Sequence, residues 1–104
     1  MQYLTDFDGH RILVTEERLV HIREHPEMVG METAIAETLG SPQQVVRSVS
    51  DPHARLYYRF YSRTRVGGKW LCVVVKAGRT GDFVVTAYLT DHPKQGAILW
   101  PRSP

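Results

Sequence analysis

Residues 55–90 read RLYYRFYSRTRVGGKWLCVVVKAGRTGDFVVTAYLT, and their period of two decides the fold. Side chains that alternate between two faces mark β-strands. The alternation predicts strands over 55–63, 70–77 and 83–90. Val66-Gly67-Gly68-Lys69 is a hairpin signal, and Gly78-Arg79-Thr80-Gly81-Asp82 turns the chain again. Leu56, Phe60, Leu71, Val73, Val75, Phe83, Val85 and Leu89 then make up the large apolar surface. The other face carries Tyr57, Arg59, Tyr61, Trp70, Lys76, Thr86 and Tyr88. It is basic and unusually aromatic for a face left to solvent.

Upstream the period is helical. Thr15 suits an N-cap, and Glu16 and Glu17 favour the positive end of a helix dipole. This predicts a helix over 16–25, stopped by Pro26. Met31, Ile35 and Leu39 recur every four residues and predict a second helix over 31–39, closed by Gly40 and Ser41-Pro42. Residues 1–14 read as a short hairpin or arm around Asp8-Gly9, 44–50 as a strand and 97–100 as a short final strand. A chain of 104 residues suits one domain: an arm (1–14), helices (15–40) and an antiparallel sheet (43–100). The expected class is α+β, with two N-terminal helices burying their apolar stripes on one sheet face.

Charge divides along the chain. Residues 1–40 hold eight acids against three bases, and the rest holds ten bases against three acids. No Asp or Glu lies between Pro52 and Gly81, and ten of the 13 bases are Arg. Such a surface suits a polyanion. The apolar run Leu71-Cys72-Val73-Val74-Val75 is far short of the roughly 20 residues a membrane helix needs, so no membrane partner is expected. The start MQYLTDFDGHR has no secretory pattern, and the single cysteine, Cys72, cannot form an intrachain disulfide. Both point to a reduced, cytoplasmic protein.

A tight turn at Gly67-Gly68 sets Arg59 opposite Lys76 and Tyr61 opposite Val74, and the next loop brings Thr86 opposite Val74 or Lys76. Directly opposed Cβ atoms are about 5 Å apart. Arg59, Lys76, Thr86 and Tyr88 would then cradle a phosphate, with Tyr57, Tyr61 and Trp70 as stacking surfaces for bases. His21 and His25 share one helix face. They lack the third ligand a metal site needs, so neither metal nor cofactor is expected, and such a histidine more often serves as general base or acid. Cys72, mid-strand, reads as packing.

Three blocks carry a resemblance: His21-Ile22-Arg23-Glu24-His25-Pro26-Glu27-Met28, Trp70 to Lys76, and Phe83 to Thr90 followed by Gly96-Ala97-Ile98-Leu99-Trp100. Over roughly residues 15–100 the chain resembles the phage-associated nuclease domains of the barnase–EndoU–colicin–RelE superfamily. The resemblance implies a curved four-stranded antiparallel sheet behind the helices. It also implies metal-independent endoribonuclease activity of toxin or effector type, by 2′-OH attack to a 2′,3′-cyclic phosphate. It maps His21 or His25 to the helix histidine, Lys76 to the basic strand residue, and Thr86 and Tyr88 to the polar strand residues. RNA is the implied substrate, and an antitoxin or immunity protein a further partner. The rival expectation is a non-catalytic RNA- or protein-binding module on the same scaffold. Oligomeric state is left open.

Overall fold

The computed structural model describes residues 2–102. The chain begins with a hairpin, β1 (Gln2–Thr5) and β2 (Arg11–Val14), and then forms α1 (Glu16–Arg23). A single 3-10 turn (Pro26–Met28) leads to α2 (Glu32–Gly40). The short β3 (Gln44–Arg47) and three longer strands, β4 (Ala54–Tyr61), β5 (Lys69–Gly78) and β6 (Gly81–Thr90), follow, and β7 (Ile98–Trp100) comes last. The Thr15 hydroxyl caps α1 by accepting from the Arg18 amide at 3.2 Å.

The seven strands of the described residues share one sheet in the order β1-β2-β6-β5-β4-β3-β7. This corrects the expected four-stranded antiparallel sheet behind N-terminal helices. The sheet is mixed, because β2 runs parallel to β6, and the helices follow the first two strands. The physical reason lies at the edges of the β3–β6 meander. Without further strands, β6 and β3 would present unpaired backbone groups. The hairpin covers β6, burying Ile12 and Val14, and β7 pairs with β3. Nothing local in sequence announces such long-range pairing.

A second correction concerns register. The β4–β5 connection spans Ser62–Gly68, with Tyr61 opposite Lys69. Its tight turn lies at Thr64–Gly67, where the two residues exchange backbone hydrogen bonds of 3.2 Å, and is not a two-residue turn at Gly67-Gly68. Arg59 therefore pairs with Leu71, and Lys76 with Ala54. An odd shift in register turns every β4 side chain over. Tyr57, Arg59 and Tyr61 face the helices, whereas Leu56, Tyr58 and Phe60 lie on the open face.

The main core sits between helices and sheet. Leu19 and Ile22 of α1 and Ile35 and Leu39 of α2 pack on Tyr57, Leu71, Val73, Val75, Val84 and Ala87. A smaller cluster on the opposite face joins Val46, Leu56, Tyr58 and Cys72, flanked by Trp70, Val74 and Tyr88. The 91–97 segment runs from β6 to β7 across this second cluster. The Lys94 amide donates to the Tyr58 hydroxyl at 3.0 Å, and the Arg47 amide donates to the Ala97 carbonyl at 2.9 Å. No described helix is long and apolar enough to cross a membrane.

Candidate anion site on the open face

On the open face Thr86 stands opposite Val74, one of the two expected registers. The register shifts between Val74 and Val75, so that Lys76 pairs with Phe83 and Val85 is left as the extra residue of a bulge. The bulge keeps Lys76, Val85, Thr86 and Tyr88 around one cleft of about 570 Å³. Leu56, Val74 and Val85 give it an apolar floor; Ser48, Ser50 and Asp51 form one wall, and Lys94 and Gln95 of the 91–97 strap between β6 and β7 form another.

The first wall is stapled in place. The Ala54 amide donates to the Asp51 carbonyl at 3.0 Å, and the Ala77 amide to the His53 carbonyl at 2.9 Å. The Asp51 amide donates to Ser48 Oγ at 3.3 Å, and the His53 amide to Asp51 Oδ1 at 2.9 Å. These bonds aim Asp51 Oδ2 at Lys76 Nζ, 3.0 Å away. The Lys76 ammonium, and next the His53 amide, hold the Asp51 carboxyl below its ordinary value. The pair is partly exposed, with 44% of the Lys76 side chain and 33% of the Asp51 side chain open to solvent. An incoming anion can therefore compete for the ammonium.

Lys94 Nζ lies 5.9 Å from the centre of the Tyr88 ring. Burial, and then the neighbouring Cys72 and Tyr58, push the Tyr88 phenol well above its usual range. Tyr88 thus stays protonated and offers a hydrogen-bond donor, not a proton for transfer. Burial likewise raises the Cys72 thiol, which is fully enclosed and suited to packing, not attack.

The remaining candidate residues do not join this cleft. Tyr57 is fully buried on the helix side and donates to Asp6 Oδ2 at 2.5 Å. The guanidinium of Arg55 donates to the Tyr57 hydroxyl at 3.0 Å and pairs with Asp82 at 2.8 Å. Arg59 donates to the Ser41 carbonyl at 2.8 Å and approaches Glu37 at 3.6 Å. Tyr61 donates to Glu37 at 2.6 Å, and its phenol is pushed up to about 12 by burial and then by that carboxylate. These three side chains fasten the sheet to α2 and the N-terminal hairpin. The expectation of Arg59 as a phosphate contact and of Tyr57 and Tyr61 as stacking surfaces fails because their faces turn over with the β4 register.

His21 and His25 ride on α1 and just beyond it, 6.4 Å apart by ring centres, with His21 Nδ1 3.3 Å from Glu24. Since α1 buries Leu19 and Ile22 in the main core, the sheet stands between these imidazoles and Lys76. Trp70 does lie on the open face, edge-on to Phe60 with ring centres 5.6 Å apart. A cleft of similar size, about 600 Å³, lies between α2 and the β4–β5 loop. Glu27 and Glu37 line it beside Arg63 and Arg65, so its charge is mixed and it suits an anion less well.

Sequence reasoning missed Asp51, Lys94 and the two serines. The available signal was the turn-rich Ser48-Val49-Ser50-Asp51-Pro52 run, whose acid directly borders the acid-free stretch. Among the described residues no group of three His, Cys, Asp or Glu side chains is placed to hold a metal ion. The arrangement can bind an anionic group at Lys76 and Lys94, donate to it from Thr86 and Tyr88, and bring a carboxylate beside it. No family model, curated protein or solved structure matches the chain.

Proposed function

We propose that the chain is a metal-independent endoribonuclease that takes the scissile phosphate of RNA into the open-face cleft. The observation that supports this reading is the Asp51–Lys76 pair, 3.0 Å apart, in a cleft that also holds the Thr86 and Tyr88 hydroxyls. A carboxylate beside an ammonium supplies a proton acceptor and a proton donor within reach of one phosphodiester. The resemblance to barnase–EndoU–colicin–RelE nucleases favours the same chemistry, but the helix histidines lie on the far face. Asp51 takes their part as base.

In this mechanism the phosphate draws Lys76 away from Asp51. Asp51 Oδ2 removes the 2′-OH proton, O2′ bonds to phosphorus, and the P–O5′ bond breaks. Lys76 gives a proton to O5′, leaving a 2′,3′-cyclic phosphate and a 5′-hydroxyl. Asp51 then returns its proton to Lys76 across their ion pair. Thr86 and Tyr88 donate to the non-bridging oxygens, and Lys94 adds positive charge where negative charge develops. Such an enzyme would act in the reducing cytoplasm. An antitoxin or immunity protein would block it by bringing carboxylates to Lys76 and Lys94.

The test is incubation with RNA in excess chelator, with the product ends identified. Wild type should leave cyclic phosphates, and Lys76→Ala should lower the rate by about 10²–10³, the usual effect of losing one group that stabilises developing negative charge. No cleavage by wild type, or equal cleavage by the variant, would overturn the enzyme reading. Salt-dependent RNA binding without turnover would instead establish the non-catalytic module.

A further inference from the structure

Phe60 and Trp70 face one another across β4 and β5 on the open side of the sheet. Phe60 is 43% exposed. Its ring stays uncovered partly because Gly68 has no side chain: a Cβ there would lie 3.0 Å from Phe60 Cζ. The row they occupy is four residues along β5 from Val74, the partner of Thr86, which is about 14 Å at strand rise. The strap crosses the face between that row and the cleft, and it carries Lys94. Among the described residues no carboxylate forms an ion pair with Lys94. An exposed Phe60 beside a partly buried Trp70, a cation with no carboxylate partner and the Lys76 cleft thus lie in sequence along one face, and Phe60, Trp70 and Lys76 belong to the acid-free stretch between Pro52 and Gly81.

We propose that Phe60 and Trp70 form a stacking platform for an unpaired nucleobase, so that the ligand of the cleft is single-stranded RNA running from the platform over Lys94 to Lys76. This rests on the reading of the cleft as an RNA site. Every base offers a π-face, so the platform selects strandedness, not sequence. A duplex keeps its bases stacked inside and cannot engage the rings. Lys94 serves as the contact to the intervening backbone phosphate.

Trp100→Phe leaves Trp70 as the sole tryptophan and a direct reporter. The probe is a 2′-O-methyl oligoribonucleotide of about eight residues, within the range of single-strand sites and lacking the 2′-OH that cleavage requires. Its binding is followed in parallel by anisotropy of an attached dye. The single strand should quench Trp70 saturably, and the same sequence in a duplex should not. Phe60→Leu, which keeps apolar bulk, and Phe60→Ala should each weaken binding about tenfold, within the range for one lost stacking contact. Lys94→Ala should reduce the salt dependence by about one phosphate contact. Binding with no change in Trp70 emission, equal quenching by the duplex, or no binding at all would overturn the platform. RNA cleavage by wild type with a silent Trp70 would remove the platform and leave the nuclease standing. Quenching by the probe, with unmodified RNA left intact by wild type, would keep the platform and remove the nuclease.

Discussion

The two faces of the sheet carry similar chemistry and use it oppositely. Both hold tyrosines and basic side chains. On the helix side these groups are consumed: Tyr57 bonds Asp6 and Arg55, Tyr61 bonds Glu37, and Arg59 reaches Ser41 and Glu37. On the open side Lys76 holds a single, half-exposed carboxylate, and Lys94 rests against a ring. An aromatic and basic composition therefore does not mark a binding face. The distinguishing property is whether the polar groups already have their partners.

The largest effect that would break this comparison lies in catalysis. Asp51→Asn is expected to lower RNA cleavage about 10²-fold, the low end for loss of a positioned base. His21→Ala/His25→Ala should change it less than about twofold, since the sheet separates both imidazoles from the cleft. A double variant as damaged as Asp51→Asn would return the base to α1. Rates at saturating RNA, with folding checked by circular dichroism, decide between them.

On the helix side the expected loss is in stability. Tyr57→Phe removes the hydroxyl that joins Asp6 to Arg55. Denaturant unfolding should show about 1.5–3 kcal/mol lost, the value of a buried hydrogen bond to a charged group. Loss below about 0.5 kcal/mol would mean that the buried network contributes little.

Acidity should sharpen the contrast further. Burial pushes the Asp6 carboxyl up, but the Tyr57 hydroxyl, the His10 and Asp8 amides and the His10 ring outweigh it, and the net shift is downward. A carboxylate held lower in the folded state adds stability above its unfolded value near 4, and that stability is lost as pH falls through the folded value. Wild type should therefore lose stability below about pH 4 more steeply than Asp6→Asn. Equal slopes would exclude Asp6 as the source.

The smallest effect concerns the surface. Lys69, at the start of the central strand β5, pairs with the exposed Asp91 just beyond β6. Lys69→Ala should cost no more than about 1 kcal/mol in stability.

Much of the chain is legible in its sequence. Thr15 and Pro26 bracket α1, the four-residue recurrence of Ile35 and Leu39 marks α2, and the alternation after Ala54 marks the three long strands. Lys76, Thr86 and Tyr88 fall on one face because β5 alternates without interruption and the β6 bulge at Val85 lies before Thr86, so it turns over Phe83 and Val85 but not Thr86 and Tyr88. β4 is different: Leu56, Tyr57, Tyr58, Phe60 and Tyr61 put large rings or apolar groups on both sides, so pattern alone does not say which side meets the helices. Gly67-Gly68 then suggested a turn that the chain makes a few residues earlier. The parallel β2–β6 pairing and the β7 edge depend on contacts across most of the chain length. Asp51 became visible only through the Ala54–Lys76 register, which brings the end of the β3–β4 loop to the lysine.

The claim on which the rest depends is that anions bind the open face at Lys76. An amide-resolved NMR titration with the 2′-O-methyl oligoribonucleotide reads this directly. Shifts are expected to concentrate at Asp51, Lys76, Thr86, Tyr88 and Lys94, extending to Phe60 and Trp70 where the base stacks, with His21 and His25 unmoved. Shifts centred on α1 and Arg59, with Lys76 and Thr86 silent, would place the ligand on the opposite face and contradict the proposed site.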